Sequence, residues 1–521
     1  MSTELPAGSP GRSSAEPSAG SSGEPSVGPA AGSTGRRLAA ERASLAEERR
    51  MRRYRRASLA TVLVLALTAG VLGAAAVLRG PHLDSAAINA ATAIQRPGQR
   101  LVLQADQAIG EVTASDVSVT PEAPFELDPD TDPSTGALTV TFTGMLQYGT
   151  EYSVRVDDVV GTTTGLSGSL DYSFETPDAT VHTLLRRGGA AAVDKPTDQV
   201  LASGLSVGSG SDAGSGSEVI FEAPRIQEFA VAGDVTVAIV LDEQGTGSLA
   251  LKVDDSAVEG VHTPVGGRLQ NLRASTSAGL FGVTVNGGSD ASGREYQNAL
   301  FVFDPQTGSG RAEEVLGFGG EPLRVVDWQF VPGTSSIVAQ GVDQQLYLLD
   351  PLAGGEPSAL GRHAEMRGFL PGGVTLVVAD AAGTSTIDLT TGDVQPLPLA
   401  SATVDPALYP GTIVALPDGG SIRRFDSIDY SQAQAVQSSL LLIADASGTR
   451  ELYRSPVEGT RVRDFCLSPN GQYLAVETIA AGSLSDGYAL PGYSDMTTSF
   501  VDIATGATTR SVPGFLPDWC T

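Results

Sequence analysis

Lysine is nearly absent from this chain: of its 33 basic residues only Lys195 and Lys252 are lysines, a bias we attribute to genome composition. Histidine occurs four times, cysteine and tryptophan twice each, and aromatic residues make up 6% of 521 positions. His82, His182, His262 and His363 stand isolated, with no H-x-H, H-x-x-x-H or H-E-x-x-H, so zinc and histidine-based catalysis find no support. Neither cysteine has a histidine partner in sequence, which leaves a catalytic thiol unsupported. No Walker A or Rossmann fingerprint appears. One G-x-S-x-G occurs, at Gly204–Gly208, in a Ser/Gly-rich stretch that lacks the strand before and helix after that a nucleophile elbow needs. The expectation is therefore no catalytic residues, no metal and no cofactor. Positive charge is also missing where it would matter: residues 81–521 hold 22 Lys+Arg against 54 Asp+Glu, a net of −32. A nucleic-acid partner needs the opposite sign.

What is present begins with topology. Of residues 1–35, 26 are Ser, Gly, Pro or Ala, a composition that cannot offset the entropy of ordering, so a disordered tail is expected there. Residues 36–56 carry nine arginines. Residues 57–78 follow without a charge, about 33 Å as a helix, which is enough to cross a bilayer core. The arginine flank places the N-terminus in the cytoplasm and the remaining domains outside. Ala74-Ala75-Ala76 offers a cleavage site of the signal-peptide kind, but 56 residues precede the apolar run where a signal peptide has a short charged region. We read an uncleaved single-pass anchor, with the membrane as a partner through residues 57–78.

Beyond Ile88 no apolar run has helical spacing. Short alternating or β-branched runs recur between Gly, Asp, Asn and Pro clusters, and 62 Gly with 31 Pro suit turns rather than a helical bundle. The class is all-β, in two units. Residues 83–177 are sandwich-sized and close with GALTVTFTGMLQYGTEYSVRVDDVVGTTTGLSGSLDYSFETP. Through Leu146, Gly149, Thr150, Tyr152, Val154, Tyr172, Phe174 and Thr176 this stretch resembles the bacterial Ig-like domains of surface and S-layer proteins. The resemblance implies a β-sandwich used as spacer or stalk. Asp128, Asp130 and Asp132 alternate within it, but Gly136 and Thr139 fall where an EF-hand loop does not want them, so an acidic hairpin turn is expected.

Residues 180–521 carry an imperfect repeat: an apolar-aromatic strand, a tight Pro/Gly/Asn turn, a second apolar strand. Copies begin at 226, 272, 325, 366, 405 and 462, the last reading VRDFCLSPNGQYLAVE. Units of this kind need neighbours to cover one face and so close in a ring. Phe465, Ser468, Pro469, Asn470 and Gly471 resemble the F-x-x-S-P-[DN]-G blades of WD40-like propellers of the TolB type. That resemblance implies a β-propeller, with six blades expected and seven as the alternative. Phe515, Pro517 and Asp518 echo the motif, so residues 511–521 are expected to complete the first blade, and Cys466 and Cys520 to form a disulfide across that seam.

Two features suggest a binding surface. The insertion 480–498 brings Tyr488, Leu490, Tyr493 and Met496 into a loop, a composition suited to protein or glycan contacts, with a loop folded back on its own blade as the alternative. Arg423 and Arg424 beside Asp426 and Asp429 read as surface ion pairs. The functional expectation is a membrane-anchored extracytoplasmic binding or scaffold protein of the cell envelope, with an envelope protein or glycan as partner. An envelope hydrolase or lyase working in the propeller channel is the rival.

Overall fold

The computed structural model describes residues 54–71, 79–128, 133–187, 197–205, 217–263, 265–306, 311–431 and 436–520. Two units separate along the chain, residues 1–79 and 80–521. In the first, one helix, Tyr54–Val71, is long and apolar enough to cross a membrane by length and composition. The expected tail at 1–35 and most of the arginine-rich segment 36–56 lie outside the described residues, as do 72–78 of the expected span 57–78.

The second unit is all-β. Residues 83–175 form two antiparallel sheets around one core. Four strands are ordered Leu83–Ala87, Gln99–Ala105, Ala137–Phe142, Phe125–Leu127, and three are ordered Val117–Thr120, Glu151–Val160, Ser167–Glu175. Alternation along Glu151–Val160 buries Tyr152, Val154 and Val156 against Leu101, Leu103, Val140 and Phe142. The motif residues of the sequence have a structural task here. Gly149 takes a positive φ of 55°, and the Thr176 hydroxyl donates to the Gln147 carbonyl (2.7 Å) while accepting from the Thr150 amide (2.9 Å). The Gln147 amide donates to the Tyr152 hydroxyl at 3.0 Å, so a single corner is stitched from both ends.

Residues 180–513 form seven consecutive antiparallel sheets among the described residues, six of four strands and one of three. Five of the six sequence copies fall on the first two strands of a four-stranded sheet; the copy at 405 covers only the first strand of its sheet and the turn after it, with Pro410-Gly411 inside strand Tyr409–Ala415 rather than in a turn. The first strands of these sheets are Ile226–Ala232, Arg268–Ser275, Val325–Phe330, Glu365–Phe369, Tyr409–Ala415 and Arg461–Leu467. The sheet with three strands precedes them: Thr180–Leu185, Asp198–Gly204 and Glu218–Ala223. It has no copy of the motif because its missing strand comes from elsewhere: Leu184 pairs with Phe515. Residues 511–513, expected in that strand, belong instead to Thr508–Pro513, the fourth strand of the seventh sheet.

Every first strand of the six four-stranded sheets is bulged against its neighbour near its start, between Ile226 and Glu228, Gln270 and Arg273, Val325 and Asp327, Met366 and Gly368, Pro410 and Ile413, and Val462 and Asp464. A bulge re-aims side chains and tightens local twist. Polar groups at or beside these bulges reach the next sheet. The Glu228 carboxylate accepts from the Leu272 amide (2.8 Å), and Arg273 pairs with Asp327 (3.0 Å). Arg424, expected only in a surface pair with Asp426, also donates to the Val462 and Arg463 carbonyls at 3.2 Å.

In the third to seventh sheets the turn from third to fourth strand opens on an aspartate that accepts amides ahead of it. Asp304, Asp350, Asp388, Asp445 and Asp502 bind the amides of Gln306, Leu352, Thr390, Ser447 and Thr505 at 2.7–2.9 Å. The Thr390 amide holds the Asp388 carboxyl below its ordinary value, and the Ser447 hydroxyl does the same for Asp445. A carboxyl depressed on folding stabilises above the unfolded value of about 4 and loses that contribution as pH falls through the folded value. The double substitution Asp388→Asn and Asp445→Asn should therefore flatten the fall of melting temperature below about pH 4, measured by circular dichroism; an unchanged slope refutes this role.

Candidate functional site

The loop 480–496 joins strands Tyr473–Ile479 and Thr497–Asp502 of the seventh sheet and faces inward rather than outward. Tyr488 and Met496 are buried, Leu490 and Tyr493 half-buried. The Tyr488 hydroxyl donates to Asp198 at 2.6 Å. Arg186 lies 4.0 Å from the centroid of the Tyr488 ring and 4.9 Å from that of Phe515, and it pairs with Asp486 at 2.7 Å. The paired side chains are only 2% and 8% exposed. Arg186 also donates to the Leu490 and Ile226 carbonyls at 2.9 Å, and so ties the loop to the first and second sheets. Met496 packs into the cluster around Phe515 and Ile479. Burial pushes the Asp198 carboxyl and the Tyr488 phenol up; it pulls Arg186 down, against the opposing charge of Asp486. The expected contact residues thus act as anchors, because desolvated aromatic rings over a guanidinium are more favourable than rings in water. Sequence reading missed Arg186 and Asp198, which lie 300 and 290 positions from their loop partners, with no local signal linking them.

Removing Asp486 leaves Arg186 buried and uncompensated. Asp486→Ala should cost on the order of 3–5 kcal/mol in stability, read by chemical denaturation. A loss under about 1 kcal/mol, the size of a surface pair, would show the loop is not held this way.

The second assembly is the seam. Cys466 and Cys520 form the expected disulfide, Cα to Cα 5.5 Å. Leu184 and Phe515 exchange backbone hydrogen bonds of 2.8 and 3.1 Å. Asp518 accepts from the His182 amide (3.0 Å) and lies 2.7 Å from its Nδ1. Trp519 packs edge-on against Phe500 and stacks at 6.0 Å on Tyr148 of the sandwich, which in turn stacks on Tyr473 at 6.4 Å. The Tyr148 amide donates to Gln472 (2.7 Å), and Asn470 donates to the Leu146 carbonyl (3.0 Å). The Ser468 hydroxyl accepts from the Tyr473 amide and donates to Asn470, so the best-formed copy of the repeat motif is also the dock for the sandwich.

Closing a loop of this span stabilises by roughly 4 kcal/mol in the chain-entropy model. Mass spectrometry without reduction should show Cys466 linked to Cys520, and reduction should lower the melting temperature. Trp519→Ala with the disulfide intact should loosen the sandwich from the sheets, seen as faster hydrogen exchange at 146–150. Unaltered exchange there would separate the seam from the junction.

A third feature is a cleft of about 410 Å³ between the third and fourth sheets. Leu280, Val302, Val315 and Leu349 make its buried apolar floor. The fourth strand of the third sheet is only Glu313–Glu314, and the loop after it carries Gly317, Gly319 and Gly320, the latter two at positive φ. Opposite stands the turn Asp350–Glu356.

Among the described residues no three His, Cys, Asp or Glu side chains converge as a metal site. Residues 206–208 of the G-x-S-x-G and Asp130 and Asp132 of the acidic turn lie outside the described residues, while Asp128 pairs with Arg100 at 3.3 Å. No family model and no curated protein matches the chain. Solved structures similar to it include the β-propeller domain of Cps50 (Swd1) from Myceliophteria thermophila, at 12% identity over 57% of this chain and 89% of that one, TM-score 0.34. Apo AztD from Citrobacter koseri matches at 13% identity over 65% and 84%, TM-score 0.33. Neither likeness is close enough to bear on function.

Proposed function

We propose that this chain is a single-pass membrane protein that presents an extracytoplasmic binding or scaffold body of the cell envelope: an Ig-like sandwich joined to a seven-bladed β-propeller. The junction carries the reading. Tyr148, Trp519, Asn470 and Gln472 weld the two β units by a ring stack and two hydrogen bonds. Such a weld suits a protein whose task is to hold a surface in a fixed orientation, with the sandwich as spacer between anchor and propeller. The seventh blade is the three-stranded sheet completed through Phe515. The anchor reading draws on helix Tyr54–Val71 and its arginine flank, and the outside placement on the disulfide, which belongs in an oxidising compartment.

Protease added to intact spheroplasts should remove residues 80–521 and spare the N-terminal segment. Cross-linking of intact cells should give a discrete envelope adduct whose yield falls in Trp519→Ala. Protection of residues 80–521, or an adduct pattern no different from that of the anchor helix alone, overturns the proposal.

A further inference from the structure

We infer that the cleft between the third and fourth sheets receives a short segment of a partner protein in which an aliphatic or aromatic side chain stands beside Lys or Arg; this rests on the binding reading above. The shape comes first. The two-residue strand Glu313–Glu314 pairs only with Phe301 and Val302, and the cleft opens beside it. Its lips are apolar and wet: Leu316 is 45% and Leu352 64% exposed, with Phe318 at 46% standing near Leu316 on the same loop. Large side chains left in water on both sides of a concavity with an apolar floor gain by covering one another with a third group. A volume of this size lies within the range that encloses a compact ligand or two to three side chains.

Charge then selects the occupant. Among the described residues, Asp304, Glu313, Glu314, Asp350 and Glu356 line the cleft against one cation, Arg311. Arg294 already engages Glu314 at 2.6 Å. Asp304 and Asp350 accept from the turn amides of Gln306 and Leu352. Glu313 and Glu356 form no ion pair among the described residues. An anionic or neutral apolar segment would bring its own polar backbone to this rim without compensation, whereas a flanking cation pairs where carboxylates already stand. The glycines of both lips, Gly317, Gly320, Gly354 and Gly355, keep side-chain bulk away from an approaching backbone.

The test uses the full chain in detergent and the tripeptide lysine–photoleucine–lysine. Illumination should attach it at residues 313–317 and 350–356, mapped by mass spectrometry. Leu352→Ser, and separately Glu313→Lys with Glu356→Lys, should each cut labelling there at least tenfold, while Glu243→Lys on a distant exposed turn leaves it unchanged. Unchanged melting temperatures confirm that these surface variants are folded. Glutamate–photoleucine–glutamate should not label the cleft, and excess lysine–serine–lysine should not compete. Equal labelling by the acidic peptide, full competition by the serine peptide, label scattered over other acidic surfaces, or indifference to the cleft variants each overturns the proposal. The cellular cross-linking above reads an adduct at any surface of residues 80–521. A cleft that fails to label while the envelope adduct persists overturns this inference alone.

Discussion

The backbone pair between Leu184 and Phe515 is the contact on which the rest of the β body depends. Without it the first sheet has three strands and an open edge. With it, residues 513–520 are stretched between the first and seventh sheets, and four side chains along them have separate holds. Phe515 fills the core under the inserted loop, Asp518 takes His182, Trp519 meets the sandwich, and Cys520 is fixed covalently to Cys466. Eight residues thus join three parts of the molecule. The Leu516 amide adds a fifth hold by donating to Glu477, whose carboxyl burial pushes up although Arg463 stands beside it.

The charged crossings between sheets repeat the same logic at smaller scale. A buried ion pair is a poor source of net stability, because desolvation offsets most of the attraction. Its value lies in register. Arg273 facing Asp327, and Glu228 accepting from Leu272, admit one arrangement of neighbouring sheets and penalise a slip by leaving a charge unpaired. The recurrent bulge is what aims these groups sideways into the neighbour instead of along their own strand.

The sequence was legible wherever the determinant was local. Five motif copies gave the first two strands of their sheets because a strand, a tight turn and a second strand are written within about 16 residues; the sixth, at 405, found its sheet although its Pro410-Gly411 lies within a strand. The Leu146–Thr176 pattern marked a corner whose hydrogen bonds stay within 30 positions. The aspartate turns were visible as LFVFDPQTG, LYLLDPLAG and their kin. Legibility failed where partners were distant. For Tyr488 and Met496 a contact surface and a loop folded back on its blade stayed equally open, because nothing in their neighbourhood announces Arg186 or Asp198. The three-stranded sheet carries no motif copy of its own because the segment that pairs with it lies some three hundred residues away, where the echo at Phe515–Asp518 pointed toward it. The cleft was invisible for a different reason: it arises from a strand cut short to Glu313–Glu314, and an absent stretch of strand leaves no motif.

The displaced strand has a consequence for the order of assembly. Strands Thr180–Leu185, Asp198–Gly204 and Glu218–Ala223 emerge from the ribosome long before Phe515 does. For that whole interval the edge at Leu184 is an unpaired row of amides and carbonyls beside a buried-type apolar face, the kind of template that recruits foreign strands. A contact of such long sequence separation also forms late, since the loop entropy must be met before the pairing returns anything. Folding of this body is therefore gated by a strand made some three hundred residues after the edge it covers. Joining residues 513–520 directly ahead of Thr180 in a permuted chain would turn the slowest contact into a hairpin and relieve the dependence on arrival order.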